Sequence, residues 1–386
     1  MIDKSHWPRV RFGDVVRQVK DKVDPKSSGL KRYIAGEHMD TDDLRIRRWG
    51  EIGDDYLGPA FHMRFKPGQV LYGSRRTYLR KVAVPDFEGI TANTTFVLES
   101  KDPKVLLPEL LPFIMQTERF NDHSVKQSKG SVNPYVNFSD LAWYEFALPP
   151  LEEQRRIAEV LEAIENTIEA YCGANLRLAR LVTSYVENSI NSADHYCVLG
   201  DLLSDTSYGS SSRSTYEPLG FPILRIPNIL RGKLDLSDLQ WLQLEQKDAS
   251  RYLLESGDIL IVRTNGNPDY VGRCVVVPPL ETQMVYASYL IRLRVKKGNA
   301  LPEFVAAMLN SPSIRRRLRG DVRSSAGNYN LNTAGIKRQK IPFPPYHQQI
   351  ELVDNATRLT DVENKIVLRL QAADDLKHSV LTLLEQ

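Results

Sequence analysis

An α+β protein is what this sequence predicts: two pseudo-repeated mixed α/β domains joined by two long antiparallel helices that form a coiled coil. Three observations predict it. Leu148-Pro149-Pro150-Leu151-Glu152-Glu153-Gln154 recurs as Phe343-Pro344-Pro345-Tyr346-His347-Gln348-Gln349, an offset of 195 residues (349 − 154). Strand and turn signals run in the same order upstream of both copies, and a long stripe of apolar residues at helical spacing comes after each.

The repeat reaches back through both halves. Phe12-Gly13-Asp14-Val15-Val16 resembles Leu199-Gly200-Asp201-Leu202-Leu203, and Pro67-Gly68-Gln69-Val70-Leu71 parallels Ser256-Gly257-Asp258-Ile259-Leu260. Tyr78 with Lys81-Val82-Ala83-Val84 parallels Tyr270 with Arg273-Cys274-Val275-Val276, and Val136-Asn137 matches Leu331-Asn332. The offset drifts from 187 (200 − 13) to 195, as loop insertions produce. A period this long marks a duplicated domain rather than a solenoid. The other explanation is a pair of unrelated domains with similar turn chemistry. The expected boundaries are 1–148 and 195–343 for the domains and 149–194 and 344–386 for the helical regions.

Within each domain, Gly68 to Tyr72 and Asp258 to Val262 read as apolar strands introduced by a glycine turn. Arg80 to Val84, Arg273 to Val277, Thr94 to Leu98 and Tyr289 to Val295 are rich in residues that favour strands. One short helix is expected over Pro108 to Phe120 and another over Pro302 to Leu318, each with proline in the first turn. A polar, glycine-bearing loop comes next in each copy: Gln127 to Tyr135, and Arg323 to Asn330.

In the first helical region, Ile157, Leu161, Ile164, Ile168, Tyr171, Asn175, Leu178, Val182 and Tyr185 alternate at spacings of four and three. That is a coiled-coil seam with a polar residue, Asn175, in it. The second region offers Leu359, Val362, Ile366, Leu370, Ala373, Leu376, Val380 and Leu383, a less regular stripe. An amphipathic rod needs a partner to cover its stripe. The other copy is the nearest one, and with a domain between them the two rods pair antiparallel. Dimerisation through the same stripes is the competing arrangement.

Composition narrows the class. Hydrophobic content of 42% and charged content of 26% over 386 residues are ordinary for globular domains. No apolar run approaches the ~18 residues needed to span a membrane, and no membrane partner is expected. Cys172, Cys197 and Cys274 are odd in number and far apart, which suits neither a disulfide framework nor a zinc cluster and points to a reducing cytoplasm. Net charge is only +3, but basic residues gather at Arg75-Arg76, Arg80-Lys81, Arg315-Arg316-Arg317, Arg319 and Lys337-Arg338-Gln339-Lys340. Such segregation can make a locally positive cleft. For Arg315 to Arg319, a solvated helix face is the other reading.

Leu148 to Ala158 (Leu-Pro-Pro-Leu-Glu-Glu-Gln-Arg-Arg-Ile-Ala), repeated in degenerate form at Phe343 to Leu352, resembles the domain boundary of the specificity (S) subunit of type I restriction–modification systems. The resemblance covers essentially the full length; the second copy departs from it at Tyr346, His347 and Ile350-Glu351. It implies two target-recognition domains, each reading one half of a split double-stranded DNA sequence, with the helices measuring the gap. It further implies docked methyltransferase (M) subunits, two by the duplication, joined by nuclease/translocase (R) subunits.

Reading base edges takes donors and acceptors on short loops: Arg for guanine, Asn or Gln for adenine. Copy one offers Arg75, Arg76 and Tyr78, with Lys129, Asn133 and Tyr135 in the later loop. Copy two offers Arg263, Asn265 and Asn267, with Arg323, Asn328 and Tyr329. A standalone coiled-coil scaffold is the alternative without DNA. An enzymatic reading finds little support. Phe343-Pro344-Pro345-Tyr346 has Phe where an amino-methyltransferase needs an amide or carboxylate, and Asn267-Pro268-Asp269-Tyr270 breaks the pattern at its third place. Pro85-Asp86 and Glu88 lack the lysine of a metal-dependent nuclease, and the Gly-Lys-Ser/Thr loop of an ATPase is absent. No cofactor and no metal are expected.

Overall fold

The computed structural model describes residues 6–53, 57–230, 232–325 and 327–385. The chain divides into two compact units: residues 1–172 with 368–386, and residues 173–367.

The first unit is built around two four-stranded sheets. In one, the strand order is Val16–Val19, Thr95–Ser100, Val70–Gly73, Val82–Ala83, all antiparallel, with Val70 opposite Leu98 and Leu71 opposite Val97. These strands alternate apolar residues toward two faces, and both faces are covered. Val70, Tyr72 and Leu98 lie in one core with Phe12, Phe113 and Phe120, while Leu71 and Val97 lie in another with Ile34 and Phe65. The second sheet runs Gly50–Glu51, Arg32–Ile34, Gly89–Ala92, Phe61–Phe65. A two-stranded ribbon, Arg9–Arg11 against Glu145–Ala147, closes the domain on itself.

The second unit repeats this plan. Its main sheet runs Leu203–Tyr208, Leu290–Val295, Ile259–Val262, Cys274–Val276, the same order as in the first unit, and Tyr196–Val198 pairs with Lys340–Pro342 as the closing ribbon. A three-stranded sheet, Gln240–Leu242, Phe221–Leu224, Val285–Tyr286, stands where the first unit has four strands. The glycine turns sit where the repeat placed them. Gly68 (φ +80°) and Gly257 (φ +89°) are left-handed, and their N–H groups donate to Pro85 O at 3.0 Å and Val277 O at 2.8 Å. A side chain there would be strained.

The single helices expected over Pro108 to Phe120 and Pro302 to Leu318 are each two helices. Leu111–Gln116 and Glu118–Lys126 break at Thr117, and Pro302–Asn310 and Pro312–Gly320 break at Ser311. Both break residues are extended (ψ 148° and 144°), and their hydroxyls cap the next helix by accepting from Phe120 N and Ile314 N. Pro312 also disfavours helical geometry at Ser311.

The recurring Pro-Pro-x-x-x-Gln motif gains a physical meaning in each unit. Gln154, 1% exposed in the first turn of helix Leu151–Asn191, accepts from Leu107 N at 2.8 Å and donates to Val105 O and Pro149 O, both at 2.8 Å. Gln349, 1% exposed in helix Tyr346–Thr382, accepts from Leu301 N at 3.1 Å and donates to Pro344 O at 3.0 Å.

The two long helices pack side by side within each unit. In the first, Leu381 and Leu384 share the core with Ile157, Ala158 and Leu161, and Lys377 Nζ lies 2.5 Å from Glu165. In the second, Leu352 shares the core with Val186 and Ile190, and Asn355 donates to Tyr185 Oη at 3.0 Å. Early residues of one helix meet late residues of the other, so the pairing is antiparallel.

The stripe of Leu151–Asn191 is shielded as predicted: Ile157, Leu161, Ile164 and Leu178 are buried and Asn175 is half-buried. The second stripe needs correction. Val362 and Leu376 are exposed, while Glu363 and Lys377 take the inward places. The shielded positions include Leu352, Ala356, Leu359, Glu363, Ile366, Leu370, Ala373, Lys377, Val380 and Leu384, spaced by four and three. Lys377 can occupy the seam because its stem packs while its ammonium meets Glu165 and, at 3.4 Å, Asp42 O.

Candidate nucleic-acid interface

In the first unit, the segment Ser74 to Tyr78 leaves the end of strand Val70–Gly73, and the loop 127–135 arrives some fifty residues later. Backbone hydrogen bonds bring the two together. Val136 N donates to Ser74 O at 2.9 Å, Arg76 N to Pro134 O at 2.6 Å, and Tyr135 and Lys129 exchange bonds of 2.8 and 2.9 Å. Arg75 bridges to Tyr135. Side chains add to this: Ser74 Oγ donates to Thr94 O at 2.7 Å, and Thr77 Oγ1 lies 2.9 Å from Ser128 Oγ.

The result is a fixed backbone with free side chains. Arg75, Arg76, Tyr78, Asn133 and Tyr135 are exposed, and Tyr78 and Tyr135 present 54% and 44% of their surface. Among the described residues, Arg75 and Arg76 make no ion pair. Lys129 differs, since its ammonium binds Asp140 at 2.9 Å. That bond from Lys129, with the Asn137 N–H, holds the Asp140 carboxyl below its usual range.

Arg76 is left-handed (φ 49°, ψ 56°), and so is Arg80 (φ 50°, ψ 46°). Such a conformation costs a non-glycine residue ~1–2 kcal/mol. At Arg80 the guanidinium offsets that cost by binding Asp42 at 2.8 Å, Gln116 O at 2.8 Å and Glu118 at 2.7 Å. At Arg76 backbone bonds alone, to Pro134 O at 2.6 Å and from Leu79 N at 2.8 Å, hold the corner among the described residues. Strain retained beneath an unengaged side chain is the pattern of a residue kept for something outside the chain.

The second unit builds the same platform as a true sheet. Thr264–Asn265 pairs with Asn328–Asn330, which pairs with Arg323–Ser325. Arg263 is half-buried, donating to Ser288 O at 3.2 Å and lying 4.7 Å over the Tyr208 ring. Asn265 Oδ1 accepts from Asn267 N at 2.8 Å and Asn267 Oδ1 from Asp269 N at 2.9 Å, so both amide oxygens are engaged within the loop; Asn265 is half-buried and Asn267 exposed. Asn328 is exposed, and Tyr329 is half-buried against the core. The side chain of Arg323 lies outside the described residues.

Much of the charge that looked available in the second unit is engaged. Arg315 donates to Asp269 O and Val271 O, Arg319 pairs with Asp269 at 2.6 Å, and Arg338 pairs with Asp321. Burial, with Arg273 and Arg319 nearby, lowers the Arg315 pKa. Tyr208 and Ser288, which orient Arg263, were not anticipated. They stand 55 and 25 residues from it, and no spacing links them. Among the described residues, no three His, Cys, Asp or Glu side chains gather as a metal site, and no helix is long and apolar enough to cross a membrane.

Comparison with known proteins bears on the same elements. Residues 5–175 match the type I restriction modification DNA specificity domain. The type I restriction enzyme EcoKI specificity subunit of Escherichia coli (strain K12) is 27% identical over 306 residues, covering 72% of this chain and 66% of that protein. The StySPI specificity subunit of Salmonella potsdam is 26% identical over 255 residues, covering 61% and 55%. The chain therefore spans about two thirds or less of the length of these curated relatives. The type I restriction–modification system S subunit from M. genitalium has the same fold, with a TM-score of 0.61 at 14% identity, covering 99% of this chain and 96% of that one. A chain from a structure of complex assembly and conformational transition in the type I R-M system also gives 0.61, at 20% identity and 97% and 96% coverage. The sheet order thus recurs in both units, residues 5–175 match the type I restriction modification DNA specificity domain, and the chain as a whole shares the fold of the M. genitalium S subunit.

Proposed function

We propose that this chain is the DNA-recognition subunit of a type I restriction–modification complex and catalyses nothing itself. Domains 1–148 and 195–343 each read one half of a bipartite duplex target. The helical regions 149–194 and 344–386 set the gap and dock two methyltransferase subunits, with nuclease/translocase subunits joining that assembly. The observation that carries this reading is the recurrence of one platform: two loops, distant in sequence, pinned together by backbone bonds at the end of the equivalent strand in each unit, with Arg75, Arg76, Tyr78, Asn133 and Tyr135 exposed in the first and Asn267 and Asn328 in the second. Such groups on a fixed backbone suit base edges and phosphates, the first carrying sequence and the second position.

The test is sequencing of modified bases in a host with and without the gene. A split methylated motif that disappears on deletion is the expected result; an unchanged methylome would refute the reading. Purified protein bound to its methyltransferase partner should also hold duplex DNA at low salt and release it steeply as salt rises.

A further inference from the structure

Beside the second unit's platform lies a cavity of about 530 Å³, lined in part by Ser210 to Ser214, Gln240 and Tyr289. It adjoins the platform directly. Arg263 donates to Ser288 O, and Ser288 N donates to Ser210 O at 2.8 Å. The segment 210–215 forming its rim is tied at both ends. Ser210 N donates to Tyr286 O at 2.9 Å and bridges to Ala287, and Thr215 exchanges backbone bonds of 3.0 and 2.8 Å with Trp241. Between these anchors, Ser212 N donates to Ser210 Oγ at 3.2 Å and Ser214 Oγ to Gln240 Oε1 at 2.6 Å.

Arg213 is the residue this scaffold leaves over. It is exposed and, among the described residues, forms no ion pair, hydrogen bond or ring contact. Its neighbours differ: Arg225 binds Asp238 at 3.0 Å, and Arg263 is held by Ser288 O and the Tyr208 ring. A phosphate contact asks only for a charge in roughly the right place. A fork aimed at a base edge asks for a fixed backbone, and here Ser210, Ser212, Ser214 and Thr215 are hydrogen-bonded around one free guanidinium.

We propose that Arg213 is a specificity-determining residue of the second unit, donating two of its guanidinium N–H groups to a guanine edge in the half-site that unit reads. This rests on the function proposed above and adds a reading element on a different loop from Arg263, Asn265 and Asn267. The match of guanidinium fork to the guanine O6 and N7 acceptors selects that base.

The experiment uses the full chain with its methyltransferase partner in the host, read by sequencing of modified bases. Arg213→Ala should relax the motif at one position of one half-site, leaving the other half unchanged, and should weaken binding of the motif duplex tenfold or more. Arg213→Lys should fail to restore the lost base preference. An unchanged motif in Arg213→Ala overturns the proposal while the DNA-reading function stands, and so does full restoration by lysine, which indicates a phosphate contact. Should methylation vanish altogether in Arg213→Ala, an unaltered melting temperature counts for a DNA contact and a lowered one against it. Absence of any split motif with the unaltered protein removes both readings together.

Discussion

Gln154 Oε1 accepts the Leu107 N–H at 2.8 Å, joining the first turn of the central helix to the loop ahead of helix Leu111–Gln116. The glutamine of the repeated motif is therefore a structural clasp. Removing it strands the part-buried Leu107 N–H and Val105 carbonyl and the buried Pro149 carbonyl, each unsatisfied group costing ~1–3 kcal/mol to the extent that water cannot reach it. Gln154→Ala should destabilise the first unit by about 3 kcal/mol on the same basis. Gln349→Ala should cost the second unit less, because that side chain makes fewer and longer bonds. Hydrogen exchange checks both: protection should fall selectively at the Leu107 amide in the first variant and at Leu301 in the second.

The Glu165–Lys377 pair, each side chain under 15% exposed, holds the helices together in the first unit. Breaking a buried pair leaves an uncompensated charge, whereas replacing both partners with apolar groups is often neutral. Glu165→Ala should lower stability by about 2 kcal/mol, and Glu165→Leu with Lys377→Met should recover most of that loss. Urea unfolding of the full chain decides it. Equal stability of the single and double variants would contradict a working ion pair.

Arg76 and Arg80 share a left-handed backbone but not a partner set. Arg76→Gly removes the strain, less the extra flexibility of glycine in the unfolded chain, for a net gain of about 0.5 kcal/mol. The same change should weaken DNA binding by ~1–3 kcal/mol. Arg80→Gly should instead destabilise the fold, because the bonds to Asp42, Gln116 and Glu118 go with the side chain. Thermal melts beside fluorescence-anisotropy titrations separate the two arginines.

If the long helices set the gap, adding seven residues to each should lengthen it by ~10 Å. At ~3.4 Å per base pair, that is about three more base pairs between half-sites. Methylome sequencing of the engineered strain reads the gap directly. Retention of the original spacing would exclude a ruler.

The duplication and its strand-forming segments could be read from the sequence because their signals are local: glycine turns at Gly68 and Gly257, β-branched runs, and a motif closing each domain; the order of strands within each sheet could not. The break inside each expected helix was less visible. It depends on one residue, Thr117 or Ser311, adopting an extended backbone and capping the next helix, and only Pro312 announces it. The seam error at Val362 and Leu376 has a similar origin. Hydrophobicity placed them inward, yet Lys377 stands inside because Glu165, on another helix, accepts it. The candidate loops were identifiable by composition. That segments some fifty residues apart would join into one platform was not, since backbone bonds such as Arg76 N to Pro134 O leave no mark in residue type.

The first unit takes Leu381 and Leu384 into its core, more than two hundred residues after its last preceding member, Leu161. A ribosome therefore releases Ile157 and Leu161 long before their covering side chains exist, and that greasy face stays open while the entire second half is being made. Destabilisation of the amino-terminal half by nonsense changes near codon 380 is the expected consequence of that order of translation.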